Sequence, residues 1–443
     1  MELKEKVTEV FPQVRQDLDR LIRIPSVSAP DFDPKHVRSS AEATAEILEA
    51  SGLRDVRFLE VEGAHPAVIG EHPGSDGAPT VLLYAHHDVQ PPGREEDWRS
   101  PPFEPVERAG RLYGRGSSDD KCGIALHQAA LLAHDGNPPV GVKVFVEGEE
   151  EIGSPFLGQF LERYRGDLAA EAIVVADSAN WRVGQPAMTT SLRGLVDCVV
   201  EVRTLDHGVH SGFLGGVFPD AITVLSRLLA TLHDERGRVA IPGLVEGEAD
   251  PLDLTEGELR EMVRAVPGLA ALGEGTLTSR MWTRPAISVL AIDAPSVAEA
   301  SNTLVPAARA KVSLRLAPGQ DPHQAEDALV KHLESNVPWG AQVSVERGAA
   351  AYPFSVEARG PASEAINHAF TEAWGKEPVH TGQGGTIPFV KEFSEAYPDA
   401  EIILVGVGDP DSRAHGVDES VDLGDLERGC VGEALFLRYL AEG

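Results

Sequence analysis

His86, Asp119, Glu151, Asp177 and His415 are five residues of metal-ligand type, each set in a short polar motif. They stand in Tyr84-Ala85-His86-His87-Asp88, Gly114-Arg115-Gly116-Ser117-Ser118-Asp119-Asp120-Lys121, Glu147-Gly148-Glu149-Glu150-Glu151-Ile152, Val174-Val175-Ala176-Asp177 and Arg413-Ala414-His415. Two imidazoles and three carboxylates make a nitrogen and oxygen donor set of the kind that a hydrolytic site with two divalent metals requires. A carboxylate can bridge such a pair, and the pair polarises a carbonyl and lowers the pKa of a water. The water still needs a proton acceptor that is not itself a ligand. Glu150 beside Glu151 offers that division of labour: in an extended segment neighbouring side chains point to opposite sides, so one ligates while the other faces the water. Asp88, two residues after His86, is placed to accept the second ring N–H of that histidine and fix its tautomer.

Most of these motifs follow aliphatic runs that read as buried strands, at 80–85, 142–146 and 172–176. Helical spacing of apolar residues covers about 7–22, 37–50, 123–133 and 155–164. Strands alternating with helices predict an α/β sheet with helices on both faces. In such sheets ligands bind beyond the carboxyl ends of the strands, where His86, Glu150, Glu151 and Asp177 fall. From about Ser191 the pattern changes. A half-exposed strand over 195–203, a helix over 220–232, a stretch rich in Pro, Gly and Glu over 242–275, a strand over 310–316, a helix over 322–334 and a strand over 342–346 predict an α+β unit across 191–355. A helix, a strand over 401–405 and a final helix over 426–440 then return to the first pattern. If His415 joins the other ligands, residues 1–190 and 356–443 form one catalytic domain and the middle is an insertion.

At 443 residues the chain is long enough for two domains, each with a core of its own. Its formal net charge of −31 argues against nucleic acid or an anionic membrane as partner, because a repulsive field must be overcome first. Most of that acid reads as a surface tuned for solubility, and a smaller share falls in the proposed site. Cys122, Cys198 and Cys430 are odd in number, far apart and without a CxxC pair, which favours a reducing compartment. The N-terminal stretch lacks an apolar signal region and no stretch reaches the length of a membrane span, so the expected location is cytoplasmic.

Taken in order, the motifs resemble those of the M20 metallopeptidases, within them the cytosolic nonspecific dipeptidases and carnosinases. The order is HxD, GRGxxDDK, EExGS, a strand ending in Asp, HSGxxGG, RLxPGQ, a GGSIP-like run and AHxxxE, from His86 to His415. Any one is weak, but the ordered set is specific. The resemblance implies a catalytic domain with a central, mostly parallel sheet flanked by helices, plus an inserted α+β lid and dimerisation domain, hence a homodimer. It implies two divalent ions, zinc foremost with manganese or cobalt as alternatives. His86 and Asp177 would hold one, Glu151 and His415 the other, and Asp119 would bridge. Glu150 would be the general base. His210 matches the lid histidine that helps to stabilise the oxyanion, often from the partner subunit. Arg315 matches the arginine that grips the substrate carboxylate, a task for a planar bidentate donor. Gln383, Thr386 and Thr303 would also contact substrate.

Two departures stand out. Cys122 replaces the glycine that commonly follows the lysine of DDK; a thiolate is a zinc ligand, but a small apolar role at a helix start is the plainer reading. Gly382-Gln383 precedes the GGSIP-like run where the dipeptidase branch has Arg-Glu, which removes an acid suited to the substrate amine. The leading reading is a two-metal hydrolase of small peptides, dipeptides foremost. Its nearest rival is an N-acyl amino acid deacylase of the acetylornithine, succinyl-diaminopimelate or aminoacylase type, which the neutral Gln383 suits. A retired metal- or peptide-binding protein is disfavoured by the presence of Glu150 beside all five ligands. No Gly-x-Ser-x-Gly elbow or HExxH motif supports other hydrolase classes. His87 reads as a packing neighbour and Asp120 as a site wall or helix N-terminal carboxylate. His127, His134, His207 and His380 read as surface or core residues.

Overall fold

The computed structural model describes residues 2–75, 77–356, 359–384 and 388–443, with the backbone alone at 388–389. The chain forms two compact units, residues 1–190, 356–381 and 387–443 in the first and residues 191–355 and 382–386 in the second.

Four strands in the first unit run parallel, in the order Gly141–Glu147, Thr80–His86, Ala172–Val175 and Glu401–Leu404. Antiparallel strands extend the sheet on both sides: Ala67–His72 and Arg54–Leu59 on one, Ala187–Leu192 on the other. The parallel strands are covered on both faces, which is why they read as aliphatic runs without alternation. Val81, Leu83 and Ala85 enter a core shared with the helices Leu3–Ile22, Lys121–Ala133 and Leu423–Glu442. Tyr84 points the opposite way, its ring 6.0 Å from Phe145 and 5.7 Å from Phe393 of the helix Pro388–Ala396.

The helix Lys121–Ala133 is buried almost all round and so shows no polar stripe. Asp120 caps it, accepting the Gly123 N–H at 3.2 Å, a contact of about 1 kcal/mol. Lys121 is fully buried and donates to the carbonyls of Leu21 at 2.7 Å and Ile24 at 2.8 Å, where the first helix ends. Burial lowers its pKa to about 7. The final helix begins at Leu423, earlier than its apolar spacing indicates, because Asp422 accepts the Asp425 N–H at 2.9 Å.

The second unit is a four-stranded antiparallel sheet in the order Ala286–Asp293, Ala307–Leu316, Gly194–Arg203 and Gln342–Ala351. Val196, Cys198, Val200 and Val202 alternate onto one face, under the helices Ala221–Ala230 and Pro322–Asn336. A two-residue ladder pairs Val209–His210 with Thr303–Leu304. Among the described residues no helix is long and apolar enough to cross a membrane.

Candidate metal centre

The carboxyl ends of the four parallel strands lead to His86, Glu150, Glu151, Asp177 and His415, the Asp119 loop follows the short antiparallel strand Arg111–Tyr113, and these segments converge within the first unit. Oδ1 of Asp119 lies 3.1 Å from Nε2 of His86, and Oδ2 lies 3.0 Å from Nε2 of His415. Nε2 of His86 also stands 3.9 Å from both Oε2 of Glu150 and Oδ2 of Asp177. Nε2 of His415 is 3.1 Å from Oε2 of Glu151. His86, Glu150 and Asp177 offer donor atoms within 4.8 Å of one another, as do His86, Asp119 and Glu151. Oε2 of Glu151 is buried, and the His415 ring beside it is not aligned to hydrogen-bond it. An orphaned carboxylate oxygen and one carboxylate shared between two imidazoles fit a pair of cations that take nitrogen and oxygen ligands.

The backbone explains the convergence. His86 ends its strand, and its Nδ1 donates to the backbone carbonyl of Asp88 at 3.1 Å, with the Asp88 carboxylate farther away at 3.4 Å. The Nδ1 N–H thus faces both the Asp88 carbonyl and, slightly farther off, the carboxylate that the sequence suggested. The Asp88 carboxylate also accepts the backbone N–H groups of Glu150 at 3.2 Å and Glu151 at 3.1 Å. Those two glutamates lie on a single 3-10 turn, Glu150–Ile152, and not in an extended segment. They still diverge, Glu150 toward His86 and Glu151 toward His415 and the Gln90 N–H. The loop before Asp119 turns at Gly116, φ +83°, where a Cβ would come within 2.7 Å of Val89. His415 itself sits at φ +63°, with its side chain 58% exposed.

Electrostatics point the same way. Burial raises the Glu150 carboxyl well above the usual range, with the His86 charge opposing the rise and those of Asp177, Glu151 and Asp119 adding to it. Burial and the Asp119 charge raise Asp177 to about 7 and also raise Glu151. Burial would lower His86, but its contacts with Asp119 and Asp88 lift it well above normal. The Asp119 and Glu151 carboxylates beside it bring His415 to about 10. Asp119 would be raised by burial, yet His415 and His86 hold it low. Three buried acids raised toward neutrality, with Asp119 and both imidazoles shifted toward their charged forms, are what a cluster crowded with negative charge and built for positive charge displays.

The other residues singled out in the sequence take plainer places. His87 is buried against the carbonyl of Pro66 at 3.0 Å, and desolvation takes it to about 4. Cys122 donates to the Ser118 carbonyl at 3.1 Å, and burial pushes its thiol up, away from the thiolate form. His127 meets Glu433 at 2.8 Å and His134 meets the Ala434 carbonyl at 2.9 Å. His207 is exposed.

His210, Thr303, Arg315 and Gln383 belong to the second unit. His210 and Thr303 are direct cross-strand neighbours. Arg315 lies opposite Leu195 and Ala286. The Gln383 carbonyl accepts the Arg193 N–H at 3.1 Å. Thr386 lies outside the described residues.

Three residues had no role in the sequence reading. Arg193, 6% exposed, donates to the carbonyls of Arg280 and Arg284. Burial first, and then the neighbouring Arg315 charge, lower it to about 10. Arg115 and Glu419 are both fully buried and paired at 2.5 Å. The signal for Arg115 and Glu419 was present as the arginine of GRGxxDDK and the last letter of AHxxxE.

Comparisons with known proteins identify the family. The profile of peptidase family M20/M25/M40 matches residues 82–438. The chain is 35% identical over 437 residues to a cysteinylglycine-S-conjugate dipeptidase of Corynebacterium striatum, covering 96% of this chain and 95% of that protein. It is 27% identical over 481 residues to the Cys-Gly metallodipeptidase DUG1 of Saccharomyces cerevisiae, covering 99% and 97%. The structure of human carnosine dipeptidase 1 superposes with a TM-score of 0.78 at 25% identity, covering 100% of this chain and 98% of that one. The chain therefore belongs to peptidase family M20/M25/M40 and is a metallopeptidase.

Proposed function

We propose that this protein hydrolyses the amide bond of dipeptides with the help of two divalent cations, zinc foremost, with manganese or cobalt as alternatives. The observation that carries the proposal is the double aspect of Asp119, one oxygen toward His86 and the other toward His415. Cations held there supply Lewis acidity to the scissile carbonyl and acidify a water. His86 and Asp177 would hold one and Glu151 and His415 the other, with Asp119 common to both. Glu150 takes the proton of the attacking water and delivers it to the leaving amine. Asp88 keeps Glu150 and Glu151 in register through their backbone N–H groups.

The second unit supplies the substrate contacts in this reading. Arg315 has no carboxylate partner among the described residues, and the adjacent Arg193 adds a second positive charge, which suits a substrate C-terminus. Gln383, Thr303 and Thr386 complete those contacts. His210 stabilises the oxyanion from the partner subunit of a homodimer built through the inserted unit. The names of the relatives, Cys-Gly and cysteinylglycine-S-conjugate dipeptidases, support dipeptides as the substrate class. A cytoplasmic location suits three buried, unpaired thiols.

A second reading, deacylation of N-acyl amino acids, is favoured by one residue, the neutral Gln383. A screen of free dipeptides against their N-acetylated counterparts, with zinc and manganese reconstitution in parallel, separates the two. Faster hydrolysis of the free dipeptides is the expected result. Preference for the acetylated series would replace the first reading by the second.

A further inference from the structure

We infer that Glu419 is a positioning residue for the metal centre: its buried carboxylate, neutralised by Arg115, fastens the loop that carries Asp119 to the loop that carries His415. The inference rests on the two-cation reading above.

Glu419 is 0% exposed, so every contact of its carboxylate is with protein. Oε1 accepts the backbone N–H groups of Ser118 at 2.9 Å and Asp119 at 3.1 Å. Oε2 accepts the Gly116 N–H at 3.1 Å and Nη1 of Arg115 at 2.5 Å. Four donors fill the acceptor sites of an ionised carboxylate, and an amide could not take them all. The backbone carbonyl of Glu419 accepts the Gly114 N–H at 3.0 Å, so the segment 114–119 is wrapped around this one residue.

Arg115 extends the clamp in the other direction. Its Nη2 donates to the carbonyl of Gly416, next to His415, at 3.2 Å, and to the carbonyl of Pro91 at 3.4 Å. The loop it grips holds three non-glycine residues in left-handed conformations, Arg413 at φ +55°, His415 at +63° and Asp418 at +57°. Such conformations persist only where surrounding contacts over-determine them. The Asp119 oxygens face His86 and His415 only while the Asp119 backbone and the His415 loop keep their places, and the Arg115–Glu419 pair is bonded to both. Glu419 acts through Asp119 and His415 and not on substrate.

Glu419→Gln in the full chain keeps the size but turns an NH2 group toward N–H donors and leaves the Arg115 charge buried and unpaired. Competition with a chromogenic chelator should show metal affinity weakened about 10–100-fold for at least one of the two ions, the usual cost of losing an outer partner of a ligand. The visible absorption of the Co2+-loaded protein should change with it, and Glu419→Asp should lie between. Glu433→Gln, which breaks the buried contact to His127 in the same unit, is the control for general loosening and should lower Tm without changing metal affinity. If the native chain binds two ions tightly and Glu419→Gln binds both with unaltered affinity and spectrum, the inference is overturned while the two-cation reading stands. Equal weakening in Glu433→Gln would overturn it as well. A native chain that binds fewer than two ions would instead sink the two-cation reading and this inference with it. Should Glu419→Gln fail to fold, Arg115→Lys is measured in the same way: weakened metal binding upholds the clamp and unchanged binding refutes it.

Discussion

Oδ1 of Asp88 accepts the backbone N–H of Glu150 at 3.2 Å, and its partner oxygen does the same for Glu151. The proposed base and the proposed ligand beside it thus hang from one buried carboxylate. Replacing Asp88 by Asn turns one acceptor into a donor facing an N–H. Turnover at saturating metal should fall about 10–100-fold with unchanged circular dichroism. Native-like turnover would show that the 3-10 turn keeps its place without this support.

In the proposed mechanism Glu150 and Glu151 divide their work on that turn, and the two corresponding amides should separate it. Glu150→Gln should keep its metal content and lose at least ~10²-fold in turnover, the lower end for general acid–base catalysis. Glu151→Gln should lose metal. Metal analysis beside steady-state kinetics decides, and metal loss in the Glu150 variant would make that residue a ligand with His86 and Asp177.

Arg315 should be felt through the substrate's C-terminus. A guanidinium left without its carboxylate costs more than an unpaired amide, so amidated dipeptides should be poor substrates. Arg315→Met should depress hydrolysis of the free acid far more than that of the amide. Equal rates on acid and amide in the native enzyme would remove the arginine from the site.

His210 provides a test of assembly. His210→Ala and Glu150→Gln proteins should each be nearly inactive, whereas a mixed dimer holds one site with both residues intact. Random exchange in an equal mixture should then recover about a quarter of native activity. Mass spectrometry of tagged chains verifies exchange, and exchange without recovery would place the function of His210 within its own chain or nowhere.

His134 makes a pH prediction away from the site. Burial lowers its pKa in the folded chain, despite the Ala434 carbonyl. The unfolded chain binds that proton more tightly. The stability contributed by the neutral ring is therefore complete above the unfolded pKa of about 6.5 and is lost as pH falls below it toward the folded value. His134→Gln should lose less stability than the native chain between about pH 7.5 and 5.5, read as the shift in urea midpoint. An equal shift in both proteins would show that His134 titrates alike folded and unfolded.

The parallel strands were legible because burial on both faces leaves an aliphatic run, and a polar residue such as His86 or Asp177 at its end is conspicuous. Ala286–Asp293 was not legible: only Ile287 along it is buried, so it shows no alternation. The turn at Glu150 was misjudged as extended because five neighbouring acidic and glycine residues carry no periodicity, whereas the chain bends into Gly153 at φ +85°. The pairing of Arg115 with Glu419 spans a sequence separation of 304 residues, and no local pattern reports a contact of that range. Arg193 was hidden for the same reason, its partners being backbone carbonyls at Arg280 and Arg284.

The donors to the centre come from loops spread from His86 to His415, with the entire second unit between Asp177 and His415. During synthesis four of the five proposed ligands emerge early, and the last emerges only after the insertion and the parallel strand Glu401–Leu404. A nascent chain therefore carries an unfinished cage. On the proposed ligand set, connectivity itself acts as a timer, so that peptide-cleaving competence arrives only when translation has passed His415.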